Sequence, residues 1–162
     1  MDTDSDIYKA EPQIRGKNAH ETIDNKKAQS RKNEMHALPV ISDELGIMGV
    51  IDIYRVNEKS LIERKYQLKQ IFRGHLYQIW AQYYCMIEMG YEVKSISFYE
   101  ISRNKTIGIS LPGDENKAEL STLIRQYKSF DPSSAFQTNP RKCSHCIYCN
   151  LCDKTDRDNV YE

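Results

Sequence analysis

Four cysteines recur at every third position in "KCSHCIYCNLC", as Cys143, Cys146, Cys149 and Cys152. Thiolates are soft ligands, and their spacing decides what they can hold. A structural zinc ion needs two pairs of ligands with enough chain between them to close a tetrahedron, and only two residues separate the pairs here. An iron–sulfur cluster is larger and is held by runs of similarly short spacing, which favours it over zinc. A redox dithiol leaves two of the four cysteines unexplained. Cys85 lies within an apolar helical pattern and reads as a small buried hydrophobe.

A second set of residues offers different chemistry. If the turn in "RVNEKS" is centred between Asn57 and Glu58, Val56 faces Lys59, Arg55 faces Ser60 and Asp52 faces Glu63 across an antiparallel pair. Two facing carboxylates repel unless something neutralises them, and a magnesium or manganese ion does so with the hard oxygen ligands it prefers. Lys65 projects from the same side as Glu63 because side chains alternate along a strand. A cation bound there polarises a phosphodiester and acidifies water, while the lysine orients that water or stabilises phosphate charge. Read without such an ion, Glu63 and Lys65 are surface strand residues and Asp52 belongs near a turn.

The elements that must position these residues are legible in the apolar pattern. "LPVISDELGIMGVIDIYRV" and "LIERKY" read as two antiparallel strands about the polar break "NEKS". From Gln70 to Met89, Phe72, Leu76, Ile79, Trp80, Tyr83 and Ile87 have helical spacing, with Gly90 as the C-terminal stop. "EVKSISFYEI" and "KTIGISLP" read as a further strand pair, and "DENKAELSTLIRQYKSF" as a helix capped by Asp114. "DPSSAFQTNPR" is a proline-punctuated loop leading to the cysteines. The upstream segment "IRGKNAHETID" can form a short helix carrying His20, and "NKKAQSRKN" reads as a solvated basic run. The order helix, two strands, helix, two strands, helix predicts an α/β fold, a mixed sheet flanked by helices.

The 162 residues suffice for one domain with a real core. Lysine and arginine total 23, as do aspartate and glutamate, so attraction to nucleic acid would come from local patches rather than global charge. No apolar run approaches the roughly 18–20 residues of a membrane span, and the N-terminus lacks the basic start and apolar stretch of a signal peptide. A cytoplasmic protein is expected, where clustered cysteines more often hold metal than form disulfides.

Taken together, "GVID" with Asp52, "IERK" with Glu63 and Lys65, a following helix with Gln78, an upstream "GKNAH" with His20 and a C-terminal cysteine cluster resemble the RecB-like nucleases of the PD-(D/E)XK class. Among these, the resemblance is to the CRISPR-associated exonucleases, the fourth numbered Cas family, and it runs from Gln13 to Cys152. It implies that His20, Asp52 and Glu63 bind manganese or magnesium, that Lys65 is the catalytic lysine, and that Gln78 helps to place lysine and substrate. The family commonly has a tyrosine four residues after that glutamine; here that position is Gln82, and the adjacent Tyr83 reads as a core-facing aromatic. His36 and His75 match no family position.

The resemblance also implies a 4Fe-4S cluster held by Cys143, Cys146 and Cys152, with Tyr148 between them and a fourth cysteine near the N-terminus. No cysteine precedes Cys85, and Cys149 is extra. By the family's pattern the chain is expected to begin late, through a start assigned too far downstream, a truncated gene, or a variant in which Cys149 supplies the missing ligand. The implied domains are a nuclease domain over 1–141, the iron–sulfur cluster segment 142–153 packed on it, and a tail over 154–162. The implied activity is exonucleolytic processing of single-stranded DNA or overhangs during CRISPR spacer acquisition, an antiviral defence, with the CRISPR integrase proteins as partners. Arg64, Lys69 and Arg73 are candidates to track phosphates, or are solvated charges. Competing readings are a RecB-like DNA repair nuclease and a non-catalytic metal-cluster module that binds nucleic acid or protein.

Overall fold

The computed structural model describes residues 33–134, 138–143, 146, 148, 149, 152 and 154. His20, the helix proposed around it and nearly all of the basic run lie outside them. Two compact units divide at Ser129 and Phe130.

The first unit is a five-stranded mixed sheet with helices. In chain order its strands are β1 (Glu34–Ser42), β2 (Ile47–Arg55), β3 (Ser60–Lys65), β4 (Ser95–Glu100) and β5 (Lys105–Ile109). They lie side by side in that same order, antiparallel except for the parallel pair β3–β4. Helix α1 (Arg73–Glu88) makes the crossover that a parallel pair requires. It packs across β1 and β2, and α2 (Asp114–Lys128) packs against α1.

β3 is the central strand, with Ser60, Leu61, Ile62, Glu63 and Arg64 all buried. Burial of both faces suits a strand with neighbours on either side, but two charged residues inside it are unusual and demand partners. The core on the α1 side is formed by Ile51, Leu61, Ile79, Met86, Ile96 and Phe98, each no more than 1% exposed.

Three sequence expectations are corrected. The first extended stretch is two strands, because "SDELG" makes a turn within it. The Gly46 N–H donates to Asp43 O at 3.2 Å, the Leu45 N–H to Ser42 Oγ at 3.0 Å, and Gly46 adopts φ +61°. Glu88 on α1 secures this turn by accepting the backbone N–H groups of Asp43 (2.8 Å) and Glu44 (3.2 Å). The Ser42 hydroxyl and these amides hold the Glu88 carboxyl below its ordinary range. The alternating pattern continues through the turn, which concealed it.

The second correction concerns the buried face of α1. Ile79 and Trp80 are buried as expected, but Phe72 and Ile87 are exposed, while Gln82, Cys85 and Met86 are buried. The inward stripe is thus rotated toward a polar residue. The third concerns α2, whose N-cap is Gly113; Asp114 is the first helical residue. Asn116 Oδ1 accepts the Gly113 N–H at 3.1 Å, and Asp114 with Glu115 favours the positive end of the helix dipole.

The Gly90 stop holds. At φ +86° it donates its N–H to Ile87 O, and Tyr91 donates to Met86 O, the two bonds of a Schellman motif. Cys85 is 2% exposed within the core, and burial pushes its thiol up to about 11.

The second unit contains the short helix α3 (Pro140–Cys143), whose first turn is closed by the Cys143 N–H donating to Asn139 O at 2.9 Å.

Candidate functional site

The β2–β3 hairpin pairs Arg55 with Ser60, Tyr54 with Leu61 and Ile53 with Ile62, the register expected from the turn. The ladder ends there, one step short of the Asp52–Glu63 pairing expected from the turn. The Asp52 carboxylate takes the place of a ladder carbonyl, accepting the backbone N–H of Arg64 at 2.7 Å. It therefore reaches β3 beside Glu63. On the other side, the β1–β2 pairing is also interrupted opposite Asp52, at Ala37, which adopts φ +50°. A left-handed alanine costs about 1 kcal/mol or more, so backbone strain is concentrated across from this carboxylate.

Glu63 is 4% exposed and accepts three described side-chain hydrogen bonds. Its Oε1 takes one from Lys65 Nζ at 2.9 Å and one from Gln78 Nε2 at 2.6 Å. Its Oε2 takes one from Gln82 Nε2 at 2.8 Å. Lys65 also donates to Gln78 Oε1 at 2.7 Å, which closes a triangle of Glu63, Lys65 and Gln78. Strand alternation brings Glu63 and Lys65 to one face, and the four-residue spacing of Gln78 and Gln82 puts both amides on the side of α1 that meets it. A cavity of about 250 Å³ lies along α1 here, with Val40, Val50, Gln78, Gln82 and Cys85 in its wall.

The structure thus brings together Asp52, Glu63, Lys65 and Gln78. Gln82 is the addition; the sequence had marked its position only as the one where the resembled family has tyrosine. Of the proposed phosphate contacts, Arg64 is buried at 4% exposure and Arg73 is engaged by Glu119, with its guanidinium 5.3 Å from the Trp80 ring centre. Lys69 and Arg73 are exposed, Arg73 being already engaged by a carboxylate. His75 accepts the Phe72 N–H on Nδ1 at 3.2 Å, and burial, with the Lys65 charge, lowers its pKa. His36 pairs with Glu34 at 3.0 Å. Tyr83 is partly buried against the core.

The donor set suits a small divalent cation. Carboxylate oxygens are the ligands that magnesium and manganese favour, and Glu63 Oε2 accepts only one described hydrogen bond. Two carboxylates are in place; among the described residues no group of three potential ligands is found.

Backbone hydrogen bonds join the described cysteines in succession. Cys146 N–H donates to Cys143 O at 3.0 Å, Cys149 N–H to Cys146 O at 3.1 Å and Cys152 N–H to Cys149 O at 3.4 Å. Each such bond keeps its two cysteines within about 7 Å of each other at Cα. No disulfide links the described cysteines. Their chemistry suits iron and sulfide, and among the described residues no three of them converge on a common centre.

No protein-family model matches the chain, and no curated protein matches it by sequence. Nine chains of known structure do match. One is the crystal structure of SSO0001, with a TM-score of 0.59 and 18% identity over 90% of this chain and 72% of that one. No helix among the described residues is long and apolar enough to cross a membrane. What the likeness to SSO0001 shows is the fold, an α/β arrangement in which a mixed five-stranded sheet is flanked by helices.

Proposed function

We propose that the chain is a metal-dependent nuclease of the RecB-like, PD-(D/E)XK type that hydrolyses single-stranded DNA ends. The observation that carries this reading is the buried carboxylate of Glu63, linked to Lys65 and Gln78 with Asp52 alongside. A buried, charged network of this kind costs stability unless it has a use. A manganese or magnesium ion held by Asp52 and Glu63, with His20 as a third ligand, would supply Lewis-acid polarisation of the phosphodiester and a more acidic water.

The chain's own residues do the rest. An ammonium group has three N–H donors, and Lys65 commits two of them, to Glu63 and Gln78. The third is available to a phosphate oxygen or the attacking water. Gln78 restrains Lys65 by accepting from it while donating to Glu63, so the lysine is aimed before substrate arrives. In the hydrolysis, water oxygen forms the new bond to phosphorus, the ester P–O bond breaks, and the departing oxygen gains a proton.

The resemblance to the CRISPR-associated exonucleases supports the narrower reading: trimming of DNA ends before spacer integration, in company with integrase proteins. Manganese-dependent shortening of an end-labelled single-stranded oligonucleotide tests the activity. The parent chain shortens it, and Lys65→Met reduces the rate by about 10²-fold or more, the usual effect of removing a charge-stabilising donor. No cleavage by a folded, metal-supplied parent, or undiminished cleavage by Lys65→Met, rejects the reading.

An iron–sulfur cluster on Cys143, Cys146 and Cys152 belongs to the same proposal, as a structural staple. Cys149 is joined by backbone hydrogen bonds to Cys146 and Cys152, which supports its candidacy as fourth ligand. Cys149→Ala is then expected to lose bound iron and the visible absorption of the purified protein. Retention of both would leave Cys149 outside the ligand set.

A further inference from the structure

We propose that Gln82 is a positioning residue that fixes the metal-facing oxygen of Glu63 and ties together the two strands bearing the carboxylates. The inference rests on the metal-site reading above and assigns a role to a residue that departs from the matched motif, standing where it has tyrosine.

Gln78 and Gln82 both donate from Nε2 to Glu63, but to opposite oxygens. A carboxylate oxygen has two lone pairs. Those of Oε1 are taken by Lys65 and Gln78, whereas Oε2 receives only Gln82 among the described residues. The lone pair remaining on Oε2 is therefore the one open to a cation, and Gln82 sets the plane in which it points.

The second N–H of the same amide turns to Val50 O on β2, at 3.4 Å. Val50 lies two residues before Asp52 on its strand. The amide of Gln82 thus spans the fork in which the β2–β3 ladder has ended, bonded to the strand of Asp52 on one side and to Glu63 on the other. These two acceptors also settle its orientation, since a flipped amide would point its oxygen at a carboxylate and a carbonyl.

Packing alone does not call for glutamine here. The residue is 7% exposed, and its Oε1 is buried with no partner among the described residues. A buried amide oxygen without a hydrogen bond is destabilising, and an apolar residue of similar length would avoid that. An amide that leaves its own oxygen unpaired while donating to the central carboxylate is placed for the site.

The test is manganese binding to the full chain, measured by calorimetry and by the EPR signal of the free ion, with thermal unfolding in parallel. The expected result for Gln82→Leu is a 10- to 100-fold weaker manganese affinity, the usual consequence of losing a residue that orients a ligand, in a variant that still unfolds cooperatively. Saturating manganese should restore its cleavage. Gln82→Met, unbranched and closer in shape, is read in the same way if the leucine variant does not fold. Parental affinity in either folded variant overturns the role of Gln82 while leaving the metal site intact, provided that Glu63→Gln has lost binding. If the parent itself binds no manganese, or Glu63→Gln binds as the parent does, the metal-site reading fails and this inference fails with it.

Discussion

Glu63→Gln is expected to abolish manganese-dependent cleavage, by about 10³-fold or more, while the far-UV circular dichroism of the folded chain is retained. The substitution keeps the shape of the side chain and removes its charge. Lys65 loses the acceptor 2.9 Å from its ammonium, and Gln78 and Gln82 both aim N–H groups at what was a carboxylate. One end of the new amide is an NH₂, so at least one of these donors must face another donor. With the anion gone, the charge that holds a divalent cation is lost, leaving only a neutral amide oxygen. A loss of several kcal/mol of transition-state stabilisation corresponds to roughly three powers of ten in rate. Because Lys65 is 22% exposed, water can solvate it once its partner is neutral, and the fold should survive. Cleavage near the parental rate by this variant would show that the chemistry does not run through Glu63.

The largest effect on stability is expected from Phe98→Ala. Phe98 is 0% exposed, stands beside Glu63 in the parallel β3–β4 register and beside Ile107 in the antiparallel β4–β5 register. The His75 ring meets it edge-on with centroids 6.1 Å apart. Its removal leaves a cavity between the sheet and α1, and buried phenylalanines replaced by alanine typically cost about 3–5 kcal/mol. Against a total stability of about 5–15 kcal/mol, that is a large fraction of what holds the domain folded. Urea unfolding should show a much lower midpoint at an unchanged m-value. A midpoint close to the parent's would mean that β4 is not packed in the centre of the unit. The same substitution should weaken any activity beyond its effect on the folded population, since Phe98 is the lateral neighbour that keeps Glu63 in place.

Much of the site was legible in the residues because its geometry is local. A short turn at Asn57 and Glu58 fixes the pairing of the strands it joins, so counting outward from it was enough to pair Arg55 with Ser60 and to bring Asp52 to the end of the ladder, where it bonds to Arg64 N–H. The two-residue period of a strand was enough to put Lys65 on the side of Glu63, but that Glu63 is buried came only from the structure. Gly90 ended α1 because a left-handed residue was needed there, and the β4–β5 pair was readable from its short polar break.

Other features were set by contacts distant in sequence. The turn at Asp43–Gly46 is held in part by Glu88, 45 residues away, and the alternation running through it gave no local sign of where the strand would stop. The direction in which α1 is rotated was misread from its apolar residues alone. Phe72 and Ile87 have the right period but face outward, because the sheet presents Glu63 to the helix and the stripe of Gln78 and Gln82 turns in to satisfy it. One buried carboxylate outweighs two apolar side chains in this choice, since leaving a charge without partners costs several kcal/mol and leaving a hydrophobe exposed costs about 1.5–3 kcal/mol.

By itself, then, the sequence determined the mixed α/β class, the hairpin register, and the residue types of the site, all of which follow from periods of two and 3.6 residues and from turn chemistry. Only the tertiary structure decided that β3 and β4 lie side by side and parallel, that the β2 ladder breaks on both sides of Asp52, and that Gln82 spans the resulting fork. Each of these depends on how the crossover through α1 returns the chain to the sheet, and that path is chosen by burial summed over the whole core rather than by any local run of residues.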